Sequence, residues 1–175
     1  MKLSLQVKPF DRRAFTLVEL IVVIAIMAIL VVLMLPNFGA LVNRAERVVC
    51  SGKLRNLWTA FSIPVSDGRG WPQLPSDVKI GSLAEQQWWI TTSSSMGLTT
   101  NNWKCPSISR ALKRSTNSSQ NQTFLINYLP TIFDARPTTP GKWGRMPWFT
   151  EISDIHGGGN LSIRADGSVC PASEK

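Results

Sequence analysis

Ala14-Phe15-Thr16-Leu17-Val18-Glu19-Leu20-Ile21-Val22-Val23-Ile24-Ala25-Ile26-Met27-Ala28-Ile29-Leu30-Val31-Val32-Leu33-Met34-Leu35 holds 22 residues and one ionisable side chain, Glu19. As an α-helix it reaches about 33 Å at ~1.5 Å per residue, enough to cross a hydrocarbon core about 30 Å thick. A secretory signal peptide has a shorter apolar core followed by a small-residue cleavage site. Here the run is longer and no Ala-x-Ala site follows before Pro36. Lys2, Lys8, Arg12 and Arg13 precede it, and positive charge on that side places the N-terminus in the cytoplasm. The stretch therefore reads as a single transmembrane helix with the rest of the chain on the far side.

The remaining chain has ordinary polarity. Over the full 175 residues, 43% are hydrophobic and 17% charged, and nearly all the charge lies outside the apolar run. One modest domain fits beside the membrane segment, and two large ones do not. The formal charge is +8 with a pI of about 9.9, a balance that favours anionic partners. Four of the basic residues are topology signals, and only Arg110, Lys113 and Arg114 cluster elsewhere. That pattern reads as a solvated basic face, so nucleic acid is not the expected partner.

Glu19 is the anomaly. A carboxylate near the start of a membrane helix is costly unless it finds a partner, or it snorkels to the interface. The sequence Arg13-Ala14-Phe15-Thr16-Leu17-Val18-Glu19-Leu20, with the apolar run behind it, resembles the prepilin-type cleavage and methylation signature of type IV pilins and type II secretion pseudopilins. The resemblance implies a cut by a membrane aspartyl peptidase between Ala14 and Phe15, then N-methylation of Phe15. Ala14 stands where that family usually has glycine. The resemblance also gives Glu19 a partner, the N-terminal ammonium of a neighbouring subunit during filament assembly. Two opposite charges in a low dielectric attract strongly, and each offsets the burial cost of the other. Pro36 sits where many pilin helices carry a proline, and a kink is expected there.

Beyond Pro36 the helical pattern resumes. Phe38, Leu41, Val42, Ala45, Val48 and Val49 recur at three and four. Leu54, Leu57, Trp58 and Phe61, with Cys50, continue on a second face rotated by about a third of a turn at ~100° per residue. A helix that packs first against neighbours and then against its own head explains the rotation; two helices broken near Gly52 are the alternative. Pro64 is expected to end the helix, with a turn at Asp67-Gly68. Leu83–Thr91 reads as a short helix carrying Trp88 and Trp89, and Asn117–Gln122 as an exposed loop tip. Phe124–Ile132, Trp148–Ile152 and Leu161–Ala165 read as strands, and Asp166-Gly167 as a hairpin turn leading into Ser168–Cys170. The expected fold is α+β: a long N-terminal helix, the pilin spine, packed on a small loop-rich antiparallel sheet. The divisions are a leader over 1–14, a transmembrane helix over 15–35, its periplasmic continuation over 36–63 and a periplasmic head over 64–175.

His156-Gly157-Gly158-Gly159-Asn160-Leu161-Ser162-Ile163-Arg164-Ala165-Asp166-Gly167 places nine residues between the chain's single histidine and an Asp-Gly pair. It resembles the C-terminal motif of pilin-like proteins found mostly in planctomycete- and verrucomicrobia-type bacteria. Cys50 with Leu54-Arg55-Asn56-Leu57, and Cys105-Pro106-Ser107, also look like that group. His156 is expected to be structural, bonding a turn backbone or Asp166 across the hairpin. A second use is a cation site with Asp154, Asp166 or Glu151. Type II pseudopilins hold calcium in a C-terminal loop, but histidine is a poor calcium ligand, so structural calcium is only a candidate cofactor. No Cys-x-x-Cys pair or His-rich tract points to zinc.

An enzyme is not expected. His156-Gly157-Gly158-Gly159 resembles a lipase oxyanion loop, yet no Gly-x-Ser-x-Gly nucleophile motif is present. Most of the seven tryptophans suit a core, whereas adjacent Trp88 and Trp89 cannot both face inward on one regular element. Of three possible cysteine pairings, Cys50 with Cys105 is expected, leaving Cys170 free; sequence does not rank them by geometry.

The resemblance implies a filament subunit anchored in the inner membrane. Its partners would be the prepilin peptidase/methyltransferase, other pilin or pseudopilin subunits, membrane lipid, and a secretion or pilus assembly platform. A membrane-tethered periplasmic binding module that never polymerises, and a DNA-uptake minor pilin, are the alternatives.

Overall fold

A computed structural model describes residues 15–34, 38–114, 124–136 and 138–172. The chain divides into two units, one ending at Ala40 and one beginning at Leu41.

In the first unit, helix α1 spans Leu17–Met34. Its mean hydropathy is 3.2 and none of it is buried. No other described residue covers these side chains, so among the described residues the apolar surface is left for another medium or another molecule. Ala14 and the expected kink at Pro36 lie outside the described residues.

The second unit is organised around helix α2, Phe38–Ser66. Its buried residues Glu46, Cys50, Leu54, Leu57, Ala60, Phe61 and Pro64 recur at three and four, a single stripe facing the head. The rotation anticipated between the two apolar faces is real. Cys50, Leu54, Leu57 and Phe61 are fully buried, whereas Val48 is 70% and Leu41 59% exposed. Pro64 does not end the helix, contrary to expectation. It sits in the last turn, and α2 closes two residues later. The Gly68 N–H donates to Val65 O (3.2 Å) and the Arg69 N–H to Pro64 O (2.9 Å), the paired bonds of a Schellman cap. A proline so near the C-terminus removes only one ladder bond, and its ring fills the core.

Three further helices follow: α3 (Leu83–Ser94), α4 (Pro106–Arg114) and the short α5 (Thr139–Lys142), with a 3-10 turn at Thr100–Trp103 before α4. Ser82 caps α3 by accepting from the Glu85 N–H. Trp89 on this helix is buried, and the half-buried Trp88 meets its ring edge-on at 4.8 Å. Strands β1 (Tyr128–Pro130), β2 (Pro147–Glu151), β3 (Leu161–Arg164) and β4 (Val169–Pro171) form one antiparallel sheet in chain order. The strand expected over 124–132 is confined to Tyr128–Pro130, and the loop tip expected at 117–122 lies outside the described residues. The fold is thus α+β, with an apolar N-terminal helix, a second helix and a small four-stranded sheet.

Phe61 is the hub of the core. Its ring lies 5.2 Å from Trp71, 6.0 Å from Trp89, 6.3 Å from Trp103 and 5.1 Å from Phe149, in the tilted and edge-on geometries that aromatic quadrupoles favour. Trp71, Trp89, Trp103 and Trp148 are all buried, so tryptophan here is mainly core. The exception is Trp143, 56% exposed.

Candidate functional site

Two places carry chemistry, one in each unit. In the first, Thr16 precedes α1 and Glu19 is its third residue. The Glu19 carboxylate accepts from the Thr16 N–H and the Thr16 hydroxyl, both at 2.9 Å, and the Glu19 N–H donates to Thr16 Oγ1 at 3.2 Å. This is a capping box, Thr-x-x-Glu, which satisfies helix-end donors reciprocally. The spacing is plain in the sequence, yet the reading there weighed only snorkelling and an intersubunit partner. Phe15, the expected mature terminus, is 74% exposed.

The second place joins α2, α4, β2 and the loop before β3. Arg47 on α2 reaches the three-glycine loop: Nη1 donates to Gly157 O (2.6 Å) and Gly159 O (3.2 Å), and Nη2 donates to Gly158 O (3.2 Å). Three consecutive glycines at φ +75°, +86° and +88° turn their carbonyls toward one guanidinium, a run of left-handed conformations that side chains resist. Asp154 accepts from the Gly159 N–H at 2.9 Å.

At the other end of the motif, Asp166 accepts from the Ser168 N–H at 2.9 Å. Hydrogen bonds from Ser168 hold its carboxyl below the usual range. Gly167, at φ +78°, lies flat on Trp58; a Cβ there would stand 3.3 Å from three indole carbons. The Trp58 N–H donates to Ala165 O at 3.0 Å. The His-nine-Asp-Gly spacing is therefore the length of a loop, a strand and a turn that dock on α2 at Arg47 and at Trp58.

Contrary to the expectation from the sequence, His156 bonds neither a turn backbone nor Asp166; its partners are Ser107, Glu151 and Cys105. It turns inward from the glycine loop and is buried. Its Nδ1 lies 3.0 Å from Ser107 Oγ, and Ser107 donates its only proton to Glu46 on α2. Ser107 must then accept from Nδ1–H, which fixes the tautomer. Glu46 is also ion-paired with Arg110 on α4. Nε2 consequently faces Glu151 Oε1 at 3.1 Å and Cys105 Sγ at 3.3 Å.

Cys50 Sγ lies 2.8 Å from Cys105 Sγ, and both thiols are free and buried. The pair singled out from the sequence is brought together, while Cys170 stands elsewhere, beside Ser162. Cys105 opens α4, with Pro106 at the first helical position, where its missing N–H costs nothing. A hydrogen bond from Cys50, and then the Ile108 N–H, lower the Cys105 pKa against the opposing effect of burial. Cys50 is pushed up, first as donor to Cys105 and then by burial. The Tyr128 hydroxyl is raised chiefly by burial and then by Cys50, and it has no hydrogen-bond partner. Asp154 and Asp166, the calcium-type candidates, each serve their own loop and lie outside this cluster. Sequence spacing showed only the Cys50–Cys105 pair and Glu151 as one possible partner of His156, because the members stand on four separate elements; Glu46 and Arg47 gave no signal, and Ser107 only as part of Cys105-Pro106-Ser107.

Residues 10–35 match the family model described as the prokaryotic N-terminal methylation motif. No curated protein and no solved structure is detectably similar to the chain. The N-terminal segment is thus a type IV pilin-like signal of the kind that prepilin peptidase processes, and α1 fits a single-pass membrane anchor.

Proposed function

We propose that the protein is a structural subunit, pilin or pseudopilin, of a type IV pilus-like or type II secretion filament, and not an enzyme. One observation carries the reading. The matched signal at 10–35 runs into a helix whose apolar side chains no other described residue covers. In this account prepilin peptidase cuts between Ala14 and Phe15, Phe15 is N-methylated, and α1 anchors the subunit in the inner membrane with its head in the periplasm. An assembly platform then transfers α1 from lipid to neighbouring subunits. The C-terminal motif serves the head's architecture rather than catalysis.

Glu19 connects the two states. In the single subunit its carboxylate is occupied by Thr16; in the filament it also meets the ammonium of a neighbour's Phe15. Glu19→Gln separates these roles, because an amide oxygen still accepts from Thr16 but carries no charge. Glu19→Gln and Glu19→Ala should insert and be cleaved normally, since removing a charge makes the segment more apolar. Filament incorporation, measured by shearing and immunoblot, should fall about a hundredfold or more, because the neighbour's ammonium would be buried alone. Thr16→Val, which keeps the charge, should still assemble. Normal yield from Glu19→Gln would leave Glu19 as a cap alone and favour a tethered module that does not polymerise.

A further inference from the structure

The buried cluster contains more polar chemistry than a core needs. Glu151 is 1% exposed and His156 8%, and no lysine or arginine pairs with Glu151 among the described residues. Glu151 Oε2 receives only a long contact from the Leu161 N–H, at 3.4 Å. A buried carboxylate without a counter-charge is strongly disfavoured. Nε2 of His156 points its lone pair at that carboxylate when the ring is neutral, so a positive charge belongs between them, either a proton on Nε2 or a cation. The thiols of Cys50 and Cys105 converge on the same point: the four donor atoms all lie within 4.8 Å of one another.

We propose that Cys50, Cys105, Glu151 and His156 form a tetrahedral site for one divalent zinc-type ion, which ties α2, α4 and β2 to the glycine loop. Two sulfurs, one imidazole nitrogen and one carboxylate oxygen are a donor set that zinc accepts. Bond lengths of ~2.0–2.3 Å put tetrahedral ligands about 3.3–3.8 Å apart; the sulfur–imidazole contact at 3.3 Å already fits, and the two sulfurs would part by about 1 Å.

The outer contacts favour a ligand histidine as well. A metal-bound imidazole donates its other N–H to a fixed acceptor, and here Nδ1–H is held by Ser107, itself held by Glu46. The unpartnered Tyr128 hydroxyl, buried beside Cys50, can donate to a thiolate once that thiol has lost its proton. Binding would release the two thiol protons to solvent and leave the sulfurs as ligands, with no electron transferred. A Cys50–Cys105 disulfide is the competing use of the same atoms. It is neutral, however, and leaves a proton on Nε2 as the only charge that could compensate Glu151.

The test uses the full chain, purified in detergent with a non-thiol reductant. Metal analysis after zinc exposure and desalting should find one zinc per chain. Titration with cobalt(II) alone should give thiolate-to-cobalt charge-transfer bands with tetrahedral visible bands, bleached by added zinc. Glu151→Gln and Cys50→Ser should weaken cobalt binding, and Cys170→Ser should leave it unchanged. Ser107→Ala should cost about 10–100-fold in affinity while retaining one site. Failure of the reduced wild-type chain to take up either metal, or equal loss in Cys170→Ser, would overturn the proposal. So would a Cys50–Cys105 disulfide that resists reduction in the folded chain. The wild-type titration stands even where a variant does not fold.

Discussion

Helix α1 and the buried stripe of α2, which runs through Cys50, Leu54, Leu57, Ala60 and Phe61, are both largely apolar, and they meet opposite fates. No residue of α1 is buried, whereas Leu54, Leu57 and Phe61 of α2 are completely covered. Hydrophobicity alone does not decide burial; period does. A stripe at three and four can be matched by one sheet and three short helices. A helix that is apolar all round has no polar side to leave in water, so it must be surrounded by lipid or by other helices. The front of α2 resembles α1 in this respect, with Leu41, Val48 and Val49 exposed. The protein thus divides its apolar surface into a part that folds the head and a part that the described residues leave uncovered, the part the proposed assembly would use.

Mutations on the two surfaces should therefore separate stability from assembly. All seven tryptophans lie beyond residue 57, so their fluorescence during denaturant unfolding reports the head alone. Phe61→Ala should have the largest effect, a loss of about 3–5 kcal/mol, because it empties the centre of the aromatic cluster. Arg47→Ala should follow, at about 1.5 kcal/mol, by releasing three carbonyls of the glycine loop that a charged donor now holds. Gly167→Ala should cost about 1–2 kcal/mol from its positive φ, with Trp58 fluorescence altered as the indole is pushed aside. Val48→Ser, on the exposed face, should stay within about 0.5 kcal/mol yet reduce filament yield. A Val48→Ser chain that unfolds as easily as Phe61→Ala would erase the distinction between the two faces.

The smallest effect concerns acid. Asp166 has a lowered pKa in the folded chain, so the unfolded chain binds its proton more readily. Its contribution is present above the ordinary carboxylate pKa and fades as pH falls through the lower folded value. Asp166→Asn should remove that small contribution at neutral pH and flatten the acid limb of the unfolding curve by the same amount, leaving stability in strong acid unchanged.

Most of the architecture was legible because it rests on local signals. The uninterrupted apolar run, the rotated faces of α2, the Asp-Gly turn and the strand at Leu161–Arg164 all follow from periodicity and turn chemistry. Pro64 was misread because its position relative to the helix end, rather than its presence, decides whether a helix stops. The capping role of Glu19 was in plain view as Thr-x-x-Glu, but the membrane context drew attention to its charge. The cluster around His156 was legible only as two separate pairs, Cys50 with Cys105 and His156 with Glu151 among its possible partners. Successive members lie 55, 46 and 5 residues apart in the chain, and only tertiary packing brings the two pairs together.

The most direct measurement is the intact mass of the mature chain. Co-expressed with a prepilin peptidase, the protein should lose residues 1–14 and gain one methyl group, leaving N-methyl-Phe15 at the start of α1. Ala14→Gly should be cut at least as fast. An unprocessed chain recovered from membranes with active peptidase would contradict the filament-subunit account.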